Sequence, residues 1–152
     1  MKNIATHSVP AWRRKANFII RADLAKHGMP ERLEQLWARK IDVNTFEICC
    51  IPFFTYGFSL GDLVETNAEY TIQRIVEKRG HISLRAAVTR LENQDKIHET
   101  LHARVDSIGL LHEWFSPGYL SVDLPPDVRR DEILSHLDPL VINGEIAVEI
   151  VE

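Results

Sequence analysis

The sequence predicts an α+β fold in which a mostly β N-terminal half is joined to a ferredoxin-like βαββαβ C-terminal half. The first half is rich in short apolar, β-branched segments that are separated by turn residues. After residue 93 the apolar residues recur every three or four positions, which is the period of a helix. From residue 82 onward the predicted order is strand, helix, strand, strand, helix, strand, as in a split βαβ unit. We therefore expect one compact unit over residues 1–152, with a β-rich half at 17–80 and a split βαβ half at 81–152.

The elements of the β-rich half follow ten residues that we expect to form a loose arm. Strands are expected at residues 17–22, 45–51, 62–66, 70–78 and 82–89. Pro52 should end the strand at 45–51, because proline cannot donate a hydrogen bond to a central ladder. Residues 33–41 are ambiguous, since their apolar side chains also fall at helical spacing.

The second half begins with an amphipathic helix that Asn93 should cap and that should end near Gly109. Asp127, which follows two prolines, is expected to cap a second helix that ends at Asn143. Acidic residues in the first turns of that helix suit its dipole. The remaining strands are expected at residues 110–115, 119–124 and 145–151.

Composition places the chain among globular proteins of ordinary size. It has 152 residues, of which 45% are hydrophobic and 26% charged, and no apolar run approaches the roughly 18 to 20 residues of a membrane span. The apolar segment at 16–20 is too short for a secretion signal. Cys49 and Cys50 are neighbours, so they form no disulfide framework, and we expect two buried thiols in a reducing compartment. The predicted location is the bacterial cytoplasm.

The charge is distributed unevenly along the chain. Residues 1–40 hold nine Lys and Arg against three Asp and Glu, whereas residues 91–152 hold four against thirteen. An acidic second half is a poor match for nucleic acid and a good match for a basic protein. The alternative interpretation is an ordinary solvated surface. The basic cluster from Trp12 to Lys15 could touch a phosphate backbone, but a solvated basic arm is the simpler interpretation.

Two segments resemble those of a known family. Residues 51–64 read IPFFTYGFSLGDLV and residues 79–85 read RGHISLR, and both are similar to segments of a widespread family of small bacterial proteins known only as a domain of unknown function. Residues 109–127 resemble the second half of that family. The likeness covers most of the chain from about residue 33 and implies that residues 33–41 form a strand. The family contributes no established activity and no catalytic residues.

The aromatic motif has two interpretations. In the structural one, Gly57 and Gly61 permit unusual backbone angles, the aromatic residues seal the junction of the halves, and Asp62 accepts backbone hydrogen bonds in a turn. In the functional one, the residues from Phe53 to Phe58, together with His81 and Arg85, line a ligand groove.

His98-Glu99-Thr100-Leu101-His102 matches the H-E-x-x-H pattern of zinc metalloproteases. Two histidines four residues apart on a helix can share a metal, and the glutamate can activate its bound water. Charged residues flank the motif, however, and no third ligand stands at the spacing of the best-known arrangement. We therefore keep zinc binding by His98 and His102 as the weaker alternative, with no cofactor as the main prediction.

The function predicted from these observations is binding of a protein, without catalysis. The sharpest version is an immunity protein, or antitoxin, that covers the active site of one cognate toxin, which should be basic. The expected contact residues are Glu113, Trp114, Tyr119 and Asp123, where acidic groups steer the encounter and aromatic rings anchor it. No catalytic residues are assigned. A zinc-dependent hydrolase and a module that binds a small ligand remain as alternatives.

Overall fold

The computed structural model describes residues 3–152, which form ten strands and two α-helices. The elements in chain order are β1 (Asn3–Ala5), β2 (Phe18–Asp23), β3 (Arg32–Asp42), β4 (Thr45–Ile48), β5 (Leu63–Thr66), β6 (Ile72–Glu77), β7 (Ile82–Val88), α1 (Gln94–Ile108), β8 (His112–Ser116), β9 (Tyr119–Leu124), α2 (Arg130–Ile142) and β10 (Ile146–Val151). The predicted α+β class is confirmed. Neither α-helix in the described part of the chain is long and apolar enough to cross a membrane.

The first sheet contains β1 to β6 and curls into a partly closed barrel. Its strand order is β1-β3-β4-β5-β6, with β2 on the other edge of β3. The backbone N–H of Arg21 donates to the Tyr70 carbonyl at 2.9 Å, and Arg21 also forms an isolated bridge with Thr71. These contacts bring β2 against β6 at the far edge. The interior is apolar and includes Ile20, Leu36, Ala38, Phe46, Ile48 and Val64.

Residues 33–41 belong to a strand, as the family resemblance implied. In β3 the residues Glu34, Leu36 and Ala38 are buried and their neighbours are half-buried, which is the period of two that a strand requires. The helical spacing of its apolar residues is thus incidental. The alternation also places a carboxylate, that of Glu34, on the buried face.

The second sheet has the strand order β10-β7-β9-β8, and its neighbours are antiparallel. Helices α1 and α2 cover one face of this sheet, and their apolar residues pack against the apolar residues of that face. This core contains Leu84, Ala86, Ile97, Leu101, Val105, Leu120, Val122, Ile133 and Leu137. The opposite face, which we call the polar face, presents the alternate residues Ser83, Arg85, Glu113, Tyr119, Ser121 and Asp123. Because Gly109 at the end of α1 has a φ of 81°, glycine suits that position, as predicted.

Two predicted boundaries are wrong. Strand β4 ends at Ile48 instead of residue 51, because from Ile51 onward the backbone N–H groups donate to side-chain carboxylates instead of a neighbouring strand. Asp127 does not cap the second helix, which begins at Arg130 after a turn in which the Val128 N–H donates to the Pro125 carbonyl. Asn93 does stand at the N-cap of α1, although its side chain makes no capping hydrogen bond.

The N-terminal residues do not form a loose arm, so that prediction is also wrong for the residues described. Strand β1 pairs in parallel with β3, and His7 is 3% exposed. The Trp37 indole donates to the His7 carbonyl at 3.0 Å, and the Trp12 N–H donates to the Cys49 carbonyl at 2.9 Å. Residues 3–12 are therefore part of the packed structure.

Candidate functional site

A buried histidine lies between two glutamates where the two sheets meet. His7 Nε2 lies 2.7 Å from Glu34 Oε2 in β3, and His7 Nδ1 lies 2.7 Å from Glu113 Oε1 in β8. The imidazole also stacks on the ring of Phe53, with 4.2 Å between the ring centroids and 5° between the planes. Since both ring nitrogens face carboxylates, the doubly protonated imidazolium fits this position and can donate to each of them. We call His7, Glu34 and Glu113 the His7 cluster.

The environment favours the charged form of this histidine. Burial lowers the pKa of His7, but the hydrogen bonds to Glu113 and Glu34 raise it, and the resulting pKa is well above the usual 6.5. Burial raises the pKa of the neighbouring Cys50 thiol, which therefore stays protonated. The cluster thus places one positive charge between two negative charges in the interior of the protein.

The same two glutamates bind the chain between β4 and β5. Glu34 accepts hydrogen bonds from the N–H groups of Phe53, Phe54 and Thr55, at 2.7, 3.0 and 3.2 Å. Glu113 accepts from the Ile51 N–H at 2.6 Å and from that of Ala11. Backbone donors therefore offset the second negative charge of the cluster.

The carbonyl groups of this stretch, residues 51–55, are bound from the polar face of the second sheet. The Ser121 hydroxyl donates to the Pro52 carbonyl at 2.8 Å, and the Tyr119 hydroxyl donates to the Phe53 carbonyl at 2.7 Å. The Arg85 guanidinium donates to the Thr55 carbonyl. Residues 51–55, which we call the junction segment, therefore form hydrogen bonds with both halves of the protein. These contacts give residues 51–55 of the aromatic motif a structural role.

Two further buried carboxylates also support the fold. Asp62 accepts the N–H groups of Ser59 and Arg79, both at 2.8 Å, which confirms the predicted turn contacts. Asp123 lies 2.9 Å from His81 Nδ1. Burial raises the pKa of both carboxyl groups, although these hydrogen bonds lower it in part.

The four predicted contact residues do not form one exposed surface. Glu113 and Asp123 are 4% and 3% exposed, so the prediction that they present an acidic surface is wrong. They lie in strands, and their side chains point to the polar face, where Glu113 contacts His7 and Asp123 contacts His81. Tyr119 is half-buried on the same face. Trp114 lies on the opposite face against α1, because successive residues of a strand point in opposite directions.

His98 and His102 each use a ring nitrogen in another contact. The Trp114 indole donates to His102 Nδ1 at 3.1 Å, and His98 Nδ1 lies 3.0 Å from the Pro117 carbonyl, to which it can only donate. Neutral His102 must then carry its proton on Nε2, which leaves it no lone pair for a metal. Among residues 3–152, no three His, Cys, Asp or Glu side chains are grouped so that they could hold a metal ion.

A cleft of about 330 Å³ opens beside the junction segment. It is lined by Tyr56, Arg85, Ala87, Tyr119, Ala147, Val148 and Glu149. The Tyr56 hydroxyl donates to Glu149 at 2.8 Å, and the Arg85 guanidinium lies 5.0 Å from the Tyr56 ring centroid. Burial raises the pKa of Tyr119 to about 12, so both tyrosines are neutral hydrogen-bond donors. Of the ligand groove considered for Phe53 to Phe58, His81 and Arg85, only Tyr56 and Arg85 line this cleft.

The fold and the His7 cluster together define the class of this protein. It is an α+β protein in which a curled sheet and a sheet covered by two helices meet at a buried cluster of polar side chains. The chain belongs to the DUF4265 family, a domain of unknown function, whose profile matches residues 34–148. That range contains Glu34, Glu113 and the junction segment, and His7 precedes it.

One solved structure has the same overall fold. It is described as a novel crystal structure of a hypothetical protein from Neisseria gonorrhoeae, and the superposition has a TM-score of 0.63. The two sequences are 16% identical, and the alignment covers 88% of this chain and 94% of the other. No curated protein matches the sequence. At this level of identity the likeness shows the fold alone.

Proposed function

We propose that the protein acts by binding another protein, without catalysis, and that it is an immunity protein that neutralises a cognate bacterial toxin in the cytoplasm. The observation that carries the proposal is the placement of the charged groups. His7, Glu34, Glu113, Asp62 and Asp123 are buried and occupied with internal hydrogen bonds. Six of the fourteen exposed acidic residues lie in α1 and α2, which we call the helix layer.

The helix layer offers the surface that such a role needs. Its exposed acidic side chains are Asp95, Glu99, Asp106, Asp131, Glu132 and Asp138. The basic residues of the two helices are Lys96, Arg104 and Arg130, so the layer has an excess of three negative charges. An acidic surface raises the rate at which a basic partner arrives and suppresses encounters with acidic ones. The contact surface proposed here replaces the one centred on Glu113 and Asp123.

We also propose a finer classification of the C-terminal half. The order strand, helix, strand, strand, helix, strand, with the spatial order β10-β7-β9-β8, supports a ferredoxin-like arrangement. This arrangement leaves both helices exposed on one side, where a partner can contact them. Because one fold serves many functions, the classification supports the accessibility of the surface and does not define the partner.

The test begins with the genes beside that of this protein, where the proposal expects a C-terminal toxin domain to be encoded. Co-expression of the protein should restore growth to cells that produce the toxin domain, and the two should form a complex whose association slows as salt increases. Replacing Asp106 and Asp138 together by Lys should slow association roughly tenfold or more at low salt. The matched control, Glu69→Lys with Glu77→Lys, reverses two exposed charges on the first sheet and should leave the rate unchanged.

Three results would contradict the proposal. The first is that the neighbouring genes encode no toxin domain, the second is that the protein fails to restore growth, and the third is that the control variant slows association as much as the helix variant does. The first two results reject the immunity role, and the third rejects the helix layer as its surface.

A further inference from the structure

The cleft beside the junction segment contains a cation without an acidic partner. Arg85 is 4% exposed, and its Nε is buried without a hydrogen-bond acceptor. Among residues 3–152, no carboxylate lies within ion-pair distance of its guanidinium, and Glu149, which stands opposite Arg85 in β10, accepts a hydrogen bond from Tyr56 instead. A buried charge is costly unless it is paired and hydrogen-bonded, and the Thr55 carbonyl and the Tyr56 ring satisfy this cation only in part.

A second unsatisfied group belongs to the residue that binds Arg85. Thr55 is fully buried, and its hydroxyl also has no hydrogen-bond partner. Most buried polar atoms in native proteins have a partner, so each exception calls for an explanation. Arg85 lines the open cleft, whereas Thr55, whose carbonyl accepts a hydrogen bond from Arg85, is fully buried and does not line it. An oxyanion in the cleft can accept hydrogen bonds from the guanidinium of Arg85.

We propose that this cleft binds a small monocarboxylic acid whose carboxylate accepts hydrogen bonds from Arg85. A single negative charge is the appropriate one, because Arg85 is the cation that lines the cleft and Glu149 lines it as well. A phosphate dianion would be repelled by Glu149 and would lack a second cation. This proposal is independent of the immunity role and gives the ligand-binding alternative a defined site and ligand class.

The rest of the cleft fits an apolar tail. Ala87 and Ala147 form a small aliphatic wall, and Tyr56 and Tyr119 contribute aromatic rings. The volume of about 330 Å³ is at the lower end of the range for ligand sites, so a short aliphatic or single-ring acid is the right size. Specific pockets commonly combine such walls with a few polar groups.

The experiment is an NMR titration of the full chain with butyrate, benzoate and inorganic phosphate. Butyrate or benzoate should cause saturable shifts of the methyl groups of Ala87 and Ala147, and phosphate should not. Replacing Arg85 by Met should weaken binding by about 10-fold to 100-fold, the range for a hydrogen bond to a charged group. Ala147→Phe fills the cleft and should abolish binding, whereas Ala103→Phe, the same change on the exposed side of α1, should preserve it.

If Arg85→Met does not fold, Ala147→Phe decides the question, because Ala147 is exposed on an edge strand and does not touch the core. The proposal is overturned if neither carboxylate gives saturable shifts. It is also overturned if the shifts persist in Ala147→Phe, or if phosphate binds as well as the carboxylates do.

Discussion

His7 and Glu113 are 106 positions apart in the sequence, and their side chains lie 2.7 Å apart in the interior of the protein. This contact joins the N-terminal residues to the second sheet. Glu34, on the other side of the imidazole, completes the connection to the first sheet. The stability of the whole chain should therefore depend on one histidine.

Replacing His7 by Gln should destabilise the protein by about 3 to 5 kcal/mol. The change removes the cation between two buried carboxylates, and loss of one partner from a buried ionic group carries a penalty of that size. Urea denaturation of the variant and the wild type measures the difference. His136→Gln, at an exposed histidine, is the control and should change the free energy of unfolding by less than about 0.5 kcal/mol.

The His7 cluster should also make stability depend on pH above neutrality. The pKa of His7 is raised in the folded protein, so the folded state retains a proton that the unfolded state releases above about pH 6.5. The stabilisation is complete below that pH and is lost as the pH rises towards the pKa of the folded state. The free energy of unfolding should fall by about 1.4 kcal/mol per pH unit in this window.

The comparison that isolates this effect is between wild type and His7→Gln from about pH 7 to about pH 8.5. The difference in stability between the two proteins should shrink as the pH rises. The pKa of His27 is lowered, by burial first of all, so His27 titrates below this window and contributes equally to both proteins. A difference that is constant with pH would mean that His7 is not protonated in the fold.

Much of the fold was predictable because it depends on local periodicity. The alternation of residues 145–151 predicted a strand, and β10 is found there. The helical spacing of Ile97, Leu101 and Val105 predicted a helix, and all three are buried in α1. The end of β4 was not predictable, since it depends on carboxylates that stand far away in the sequence. Local pattern contains no information about such distant acceptors.

The His7 cluster could have been suspected from one signal. Glu34 stands in register with Leu36 and Ala38, on a face of β3 that is otherwise apolar, and a carboxylate in that position requires buried donors. Nothing in the sequence identifies His7 or the N–H groups of residues 53–55 as those donors. The predicted contacts of Glu113 and Asp123 were wrong for the same reason, because charge counts do not distinguish buried carboxylates from exposed ones.

Replacing Glu34 by Gln should loosen the junction segment without unfolding the protein. A neutral amide has one oxygen acceptor, whereas the carboxylate has two oxygens that accept from three N–H groups and His7. Hydrogen exchange at Phe53, Phe54 and Thr55 should accelerate roughly tenfold or more relative to the core strands. Glu65→Gln, in an exposed pair with Arg74, should leave exchange in the junction segment unchanged.

Zinc and chelators should have little effect on this protein. The Trp114 indole occupies Nδ1 of His102, so zinc could bind there only if the hydrogen bond broke and the tautomer changed. Adding zinc should leave the indole N–H resonance of Trp114 in place, and a chelator should not lower the melting temperature. His102→Ala should shift that resonance. Loss of the Trp114 signal on addition of one equivalent of zinc would instead favour the hydrolase alternative.

Replacing Glu113 by Lys should abolish or severely reduce folding, whereas replacing Asp138 by Lys should not. The Glu113 carboxylate binds His7 and the Ile51 N–H, and a lysine there would place a second buried cation beside the imidazolium. A loss of more than about 4 kcal/mol is expected from such a change, against less than about 0.5 kcal/mol at the exposed Asp138.

Glu113→Gln removes the negative charge of Glu113 without adding a positive one. Its stability should therefore lie between that of Glu113→Lys and that of Asp138→Lys. Urea denaturation of the three variants, with equal m-values as the check on two-state unfolding, gives this order directly. If Glu113→Lys were as stable as Asp138→Lys, the His7 cluster would not be the main connection between the two sheets. Charge-reversal variants for binding experiments should therefore be made in the helix layer. A variant at Glu113 would fail to bind because it would not fold.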